Sequence, residues 1–215
     1  MKEIINLINS ISGKYSNLLI FDDWVRVLAL SISNSTELAN CKIFQEREKD
    51  YFSIMKKYTE KEVTIFAKMF AKLIELFQKE INDYLGNIYM QCEMGNKRTG
   101  QFFTPFNLSG LCSEIIIDEN DIKNNQVITL YEPSCGAGGM ILAYAKVLKD
   151  KGVNYQRKIK AIAQDLDYRA VYMTYIQLSL CGIKAKVQQG DSLLNTEILE
   201  ARRIFYTPAY KGIFI

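Results

Sequence analysis

The sequence has 215 residues, 48% of them apolar, with 27 Lys and Arg against 24 Asp and Glu and a formal net charge of +3. That length can bury one sizeable core, and the small positive charge neither demands nor excludes a nucleic-acid partner. No apolar run approaches the roughly 20 residues of a membrane-spanning helix. The amino terminus has no apolar core followed by a small-residue cleavage site, so a cytoplasmic protein is expected, with no membrane partner. The absence of histidine excludes Ser-His and Cys-His hydrolysis. The cysteines, Cys41, Cys92, Cys112, Cys135 and Cys181, have no zinc-ligand spacing and read as reduced thiols; no metal is expected.

Residues 1–95 contain no proline and no glycine-rich turn except Ser12-Gly13. Their apolar residues recur at helical spacing, which predicts helices over Glu3 to Ile11, Leu18 to Ser31 and Gln45 to Tyr58, with a loop from Ser31 to Asn40. The longest stripe runs from Val63 through Phe66, Phe70, Leu73, Phe77, Ile81 and Tyr84 to Ile88 and predicts a single long helix. Lys61, Lys68, Lys72, Glu75 and Lys79 form its solvated side. Gly95-Asn96-Lys97-Arg98-Thr99-Gly100 breaks the pattern and divides a helical region, 1–95, from a second domain, 96–215.

The second part is different in character. Thr104 as an N-cap with Pro105 at the first helical position predicts a helix to about Ile117. The β-branched run Val127 to Tyr131 predicts a strand, Met140 to Lys149 a helix, Lys158 to Gln164 a second strand and Ala170 to Cys181 a helix stopped by Gly182. A third strand, Ala185 to Gln189, ends at Gly190-Asp191, and a fourth, Arg203 to Tyr206, leads into Thr207-Pro208-Ala209-Tyr210. Strands alternating with helices predict an α/β domain with a mostly parallel sheet.

Between the first strand and its helix lies Glu132-Pro133-Ser134-Cys135-Gly136-Ala137-Gly138-Gly139. Glycines there let the backbone approach a ligand without Cβ clashes, and the helix start offers unpaired N–H groups. In a parallel sheet, ligands sit at the carboxyl ends of the strands. Asp165, at the end of the second strand, is placed to accept the hydroxyls of a ribose. Asp191, at the end of the third, is placed to accept from an exocyclic amine such as adenine N6. A nucleoside cofactor is implied.

The ordered series Gly100-Gln101-Phe102-Phe103-Thr104-Pro105, Glu132 to Gly139, Asp165-Leu166-Asp167 and Gly190-Asp191-Ser192 resembles the amino-terminal motifs of the adenine-N6 DNA methyltransferases. It is most similar to the modification subunits of type I restriction systems and their small phage and mobile-element relatives. The resemblance implies a partial Rossmann-type methyltransferase fold with an all-α amino-terminal region, and S-adenosylmethionine as cofactor. Gln101, Phe102, Phe103 and Thr104 would hold its methionine end. Glu132, Pro133, Ser134, Gly136, Gly138 and Gly139 would wrap it. Asp165 would hold the ribose and Asp191 the adenine ring, with Leu166 and Ser192 beside them.

The family's catalytic tetrapeptide is Asn or Asp, Pro, Pro, Tyr or Phe. The segment in its place is Thr207-Pro208-Ala209-Tyr210, so the resemblance makes Thr207, Pro208 and Tyr210 the catalytic residues, acting on an adenine flipped from double-stranded DNA. Thr207 and Ala209 depart from the pattern. A cofactor- or DNA-binding pseudo-methyltransferase acting as partner, regulator or restriction decoy is therefore the alternative reading. The family's strand order, 3-2-1-4, would leave the fourth strand as an edge without the later strands or a target-recognition region. A homodimer or a partner subunit is expected to cover that edge.

Overall fold

The computed structural model describes all residues except 12, 40, 94–102, 125, 194–202 and 214–215 and, for side chains, also 93 and 121. The amino-terminal helices are α1 (Lys2–Ile11), α2 (Asn17–Asn34), α3 (Lys42–Met55), α4 (Glu60–Lys79) and α5 (Tyr84–Glu93). Their starts are local chemistry. Ser16 Oγ accepts from Leu19 N at the head of α2, and Thr59 and Glu62 form a reciprocal capping box at the head of α4. Helix α2 is the centre of this region: Ile20, Phe21, Trp24, Val25 and Leu28 are all buried, and Trp24 Nε1 donates to Phe66 O of α4 at 3.2 Å.

The single long helix expected from Val63 to Ile88 is two helices, broken between Lys79 and Tyr84. The cause is the pair Asn82-Asp83. Asn82 Oδ1 accepts from Asp83 N at 2.8 Å and Asp83 Oδ1 accepts from Gly86 N at 2.9 Å, local bonds that compete with the helical ladder and start a new helix. Helix α2 continues to Asn34, into the expected loop, and α3 begins and ends three residues before its predicted bounds.

The second part contains α6 (Phe106–Ile116), α7 (Glu119–Lys123), β1 (Ile128–Glu132), α8 (Gly139–Asp150), α9 (Tyr155–Lys158), β2 (Ile159–Asp165), α10 (Tyr168–Leu180), β3 (Lys184–Gln189) and β4 (Ile204–Tyr206), followed by a 3₁₀ turn, Pro208–Lys211. Pro105, not Thr104, is the N-cap of α6. Gly182 follows α10 at φ +65°, the left-handed stop its sequence position predicts. Strands β1, β2 and β3 are parallel, with Ile128 opposite Ile159 and Lys160 opposite Lys184. Ile159, Ala161 and Ala163 of β2 and Ala185 and Val187 of β3 are buried, and α10 packs across both strands. One continuous buried cluster runs from Ile4 of α1 to Phe205 of β4, so helices and sheet share a core. No described helix is long and apolar enough to cross a membrane.

The fourth strand corrects an expectation. The order is β1-β2-β3-β4, with β4 antiparallel to β3 and Phe205 opposite Val187; β4 is not beside β1. Burial of Phe205 fixes this. Its ring is 2% exposed, packs 5.1 Å from the Tyr175 ring of α10 and lies 4.5 Å beneath the Arg47 guanidinium of α3. Arg47 also donates to Ile204 O at 2.8 Å, so the outer edge of β4 is tied to α3. Among the described residues the sheet ends at β1 on one side and at β4, with this tie to α3, on the other.

Candidate cofactor site

Strands β1 and β2 run in register to their carboxyl ends, with Glu132 opposite Ala163, which places the turn after β1 beside the end of β2. The turn is bolted there by backbone groups. Cys135 N donates to Gln164 O at 2.8 Å, and Gly136 N donates to Asp165 Oδ2 at 2.8 Å. Thr174 of α10 donates to Gly136 O at 2.9 Å. Gly136 and Gly138 have φ of +52° and +91°, which L side chains rarely adopt. A Cβ on Gly136 would also stand 2.9 Å from the Phe103 ring. Gly138 caps α8 without a side-chain bond, so the first N–H groups of that helix have no protein cap at this point.

These elements enclose a cavity of about 250 Å³. Of the residues expected to hold a cofactor, Phe103, Thr104, Ser134, Gly136, Gly139 and Asp165 line it. Glu132, Pro133 and Gly138 shape the turn without lining the cavity; Glu132 Oε1 accepts from Ser134 N at 3.2 Å. Leu166 is 69% exposed at the end of β2. Asp191 and Ser192 follow β3, where Asp191 Oδ1 accepts from Leu193 N at 2.9 Å. Gly190 N donates to Asp165 O at 2.9 Å, which holds the end of β3 against the end of β2. Gln101 and Phe102 lie outside the described residues. Cys135 and Ala137 of the same turn line the cavity as well, and so do Asp83, Ser109 and Met140, which were not expected there. Two larger cavities, of about 340 Å³ and 430 Å³, do not touch the glycine turn.

The electrostatics are acidic and partly dry. Asp165 is 7% exposed, and each of its oxygens accepts a backbone N–H, from Gly136 and from Asp167. Burial pushes the Glu132 carboxyl up, the Ser134 N–H opposes this, and the charge of Asp165 adds to it. Burial pushes the Cys135 thiol up to about 12, so Cys135 is a neutral packing residue and not a nucleophile.

Thr207, Pro208 and Tyr210, expected to be catalytic, are elsewhere. Thr207 is 0% exposed; its Oγ1 donates to Ile183 O at 2.7 Å and accepts from Ala185 N at 2.9 Å. Those groups mark the beginning of β3, whereas the glycine turn stands at the carboxyl ends of the strands. With a rise of about 3.3 Å per residue, the six residues of β3 separate the two places across the sheet. Pro208 is buried, and the Tyr210 ring packs 4.9 Å from Tyr206 with Lys160 Nζ 5.3 Å away. The reason is the antiparallel return of β4, which carries the segment after it to the wrong end.

The family model for N-6 DNA methylase matches residues 80–207. The methylase subunit of the type I restriction enzyme MpnII from Mycoplasma pneumoniae is 29% identical over 136 residues, which cover 60% of this chain and 24% of that protein. The match thus spans about a quarter of the length of that curated relative. Among solved structures, a protein from Listeria monocytogenes assigned to the class I S-adenosylmethionine-dependent methyltransferases aligns with TM-score 0.48 and 14% identity, covering 93% of this chain and 55% of that one. The methyltransferase subunit of a type I restriction-modification system from Streptococcus thermophilus aligns with TM-score 0.45 and 15% identity, covering 92% and 40%.

Proposed function

The chain belongs to the N-6 DNA methylase family, and from that premise we propose that the carboxyl ends of β1, β2 and β3 bind S-adenosylmethionine for methyl transfer to adenine N6 in DNA. The observation that carries the reading is the glycine turn fixed to Asp165 through Gly136 N. The residues present fit the cofactor. Gly136 and Gly138 leave a cradle without Cβ atoms, the start of α8 offers N–H groups, and each Asp165 oxygen retains a lone pair for a ribose hydroxyl beside the backbone donor it already serves. In this reading Ser134, Gly136 and Gly139 line the cofactor with backbone, Phe103 and Thr104 meet its methionine end, a role the motif also gives Gln101 and Phe102, and Leu166, Asp191 and Ser192 meet its adenine. When bound, the cofactor supplies an electrophilic methyl group on a sulfonium. The chain's own work is positioning and exclusion of water, which carry much of such a transfer.

DNA is the proposed substrate, with the target adenine flipped out of the duplex, and a partner subunit or second copy is proposed to act with the domain at 96–215. A second reading, cofactor binding without transfer, is favoured by one observation. Thr207 is buried at the far end of β3 and does not face the glycine turn.

Calorimetry with S-adenosylmethionine tests the first claim. Asp165→Ala is expected to weaken binding by about 1 to 3 kcal/mol, because charged acceptors for the ribose are lost and Gly136 N is released. No heat and no thermal shift at millimolar cofactor would remove the reading. Tritium-methyl transfer to unmethylated DNA then separates the two versions: binding with no transfer supports the second.

A further inference from the structure

Asp83 is 4% exposed and lines the cavity beside the glycine turn, although it belongs to the helical region. Its Oδ1 is accounted for: it accepts from Gly86 N at 2.9 Å and from Gln177 Nε2 at 2.8 Å. Gln177 Nε2 also donates to Ala137 O at 2.7 Å, so the same amide ties Asp83 to the turn. The Oδ2 atom has no hydrogen-bond donor among the described residues. It lies 3.5 Å from where a Cβ on Gly139 would be, over the first residue of α8.

Capping α5 explains one oxygen of this carboxylate and leaves the other. No Lys or Arg among the described residues forms an ion pair with it. A buried carboxylate without a cation is costly, and burial accordingly pushes the Asp83 carboxyl up. An ionised carboxylate can only accept. The matching occupant is therefore a donor that carries positive charge, and it must reach the cavity from the open side.

We propose that Asp83 Oδ2 receives the α-ammonium group of the methionine tail of S-adenosylmethionine. This rests on the reading of the cavity as the cofactor site and adds the group that recognises the amino-acid end. The sulfonium offers charge but no hydrogen to donate, and a ribose hydroxyl donates its O–H without charge, so the ammonium alone satisfies both halves of the requirement.

Asp83→Asn keeps the capping oxygen and the shape and removes the charge. Titration calorimetry of the intact chain with S-adenosylhomocysteine, which has the ammonium but no sulfonium, and with 5′-methylthioadenosine, which lacks the amino-acid tail, reads the effect. The expected result is S-adenosylhomocysteine binding weakened about tenfold or more, with 5′-methylthioadenosine unchanged within about twofold. Equal weakening of both ligands would make Asp83 a structural residue only and overturn the proposal. So would weakening of S-adenosylmethionine alone, which would assign Asp83 to the sulfonium. Wild-type protein that binds neither ligand overturns the cofactor reading and the proposal with it. Gly86→Ala is an independent second variant. Its Cβ would lie 2.2 Å from Asp83 Oδ2 and displaces the carboxylate while the charge stays, so it too is expected to weaken S-adenosylhomocysteine selectively.

Discussion

The hydroxyl of Thr207 is fully enclosed, donating to Ile183 O and accepting from Ala185 N, and its physical role is to pin the chain after β4 to the start of β3. Thr207→Val keeps the volume and leaves both backbone groups short of a partner, which is expected to cost about 1 to 3 kcal/mol in urea unfolding with no change in cofactor heat. Thr207→Asn overfills a site with no exposed surface and should not raise methyl transfer. A rise would return this segment to the reacting centre. Asp83 gives a second residue-level expectation. Its carboxyl pKa in the folded state lies above the ordinary 3.8, through burial opposed by the bonds from Gln177 and Gly86. The unfolded chain therefore releases this proton first as pH rises, and stability falls between 3.8 and the folded value. Thermal melts at stepped pH should show Asp83→Asn gaining on wild type from mildly acidic to neutral pH and matching it at lower pH. Neither role was legible beforehand. Asp83 stood inside an apolar stripe that reads as one helix, and only its spacing to Gly86 hinted at a cap. The segment Thr207 to Tyr210 follows the right number of strands along the chain, but chain order does not say at which edge a strand docks.

Strands β1, β2 and β3 and helices α8 and α10 were legible because each carries its own signal: an apolar run, a glycine or Asp at its end, and a helix long enough for a parallel crossover. Strand β4 was legible as a strand over Arg203 to Tyr206, but its three residues carry no signal for where it docks. Its direction is set by partners remote in sequence, chiefly Arg47, which is 157 residues from the Ile204 carbonyl it holds. Arg47 is 3% exposed and also bonds Ser33 Oγ at 2.5 Å, pairs with Glu37 at 3.5 Å and covers the Phe205 ring. Burial pushes its pKa down, while nearby Tyr175 and Glu37 hold it up. Arg47→Ala removes the cation and leaves Glu37 with Lys211 at 2.6 Å. We expect a loss of about 3 kcal/mol, and hydrogen exchange should quicken at Ile204 to Tyr206 ahead of β1 and β2. Uniform quickening across the whole sheet would mean that Arg47 does not act through β4.

At the scale of the molecule, the return of β4 covers β3 and leaves β1, which the strand order 3-2-1-4 would place inside the sheet, as an edge strand together with β4. Helix α6, which packs on α8, presents an apolar surface of its own. It turns Ser109 and Ser113, which are 0% and 1% exposed, inward, and each bonds a carbonyl one turn back. It turns Leu108, Leu111, Ile115 and Ile116 outward, at 47%, 58%, 75% and 61% exposure. Val127 and Tyr131 at β1 add 55% and 59%. A helix with its small polar residues packed and its large apolar residues facing out inverts the usual amphipathic arrangement. A net charge of +3 offers little repulsion to oppose contact between copies. The expected outcome is association through the apolar face of α6, as an exposed apolar patch of this kind invites. Light scattering at tens of micromolar should give a mass above the monomer, and Leu111→Lys with Ile115→Lys should lower it. Because both side chains are more than half exposed, the double variant should leave the melting temperature within about 2 °C of wild type. A wild-type monomer at that concentration would show that the face is not covered by a second copy. A melting temperature that falls together with the mass would show instead that the two side chains support the fold.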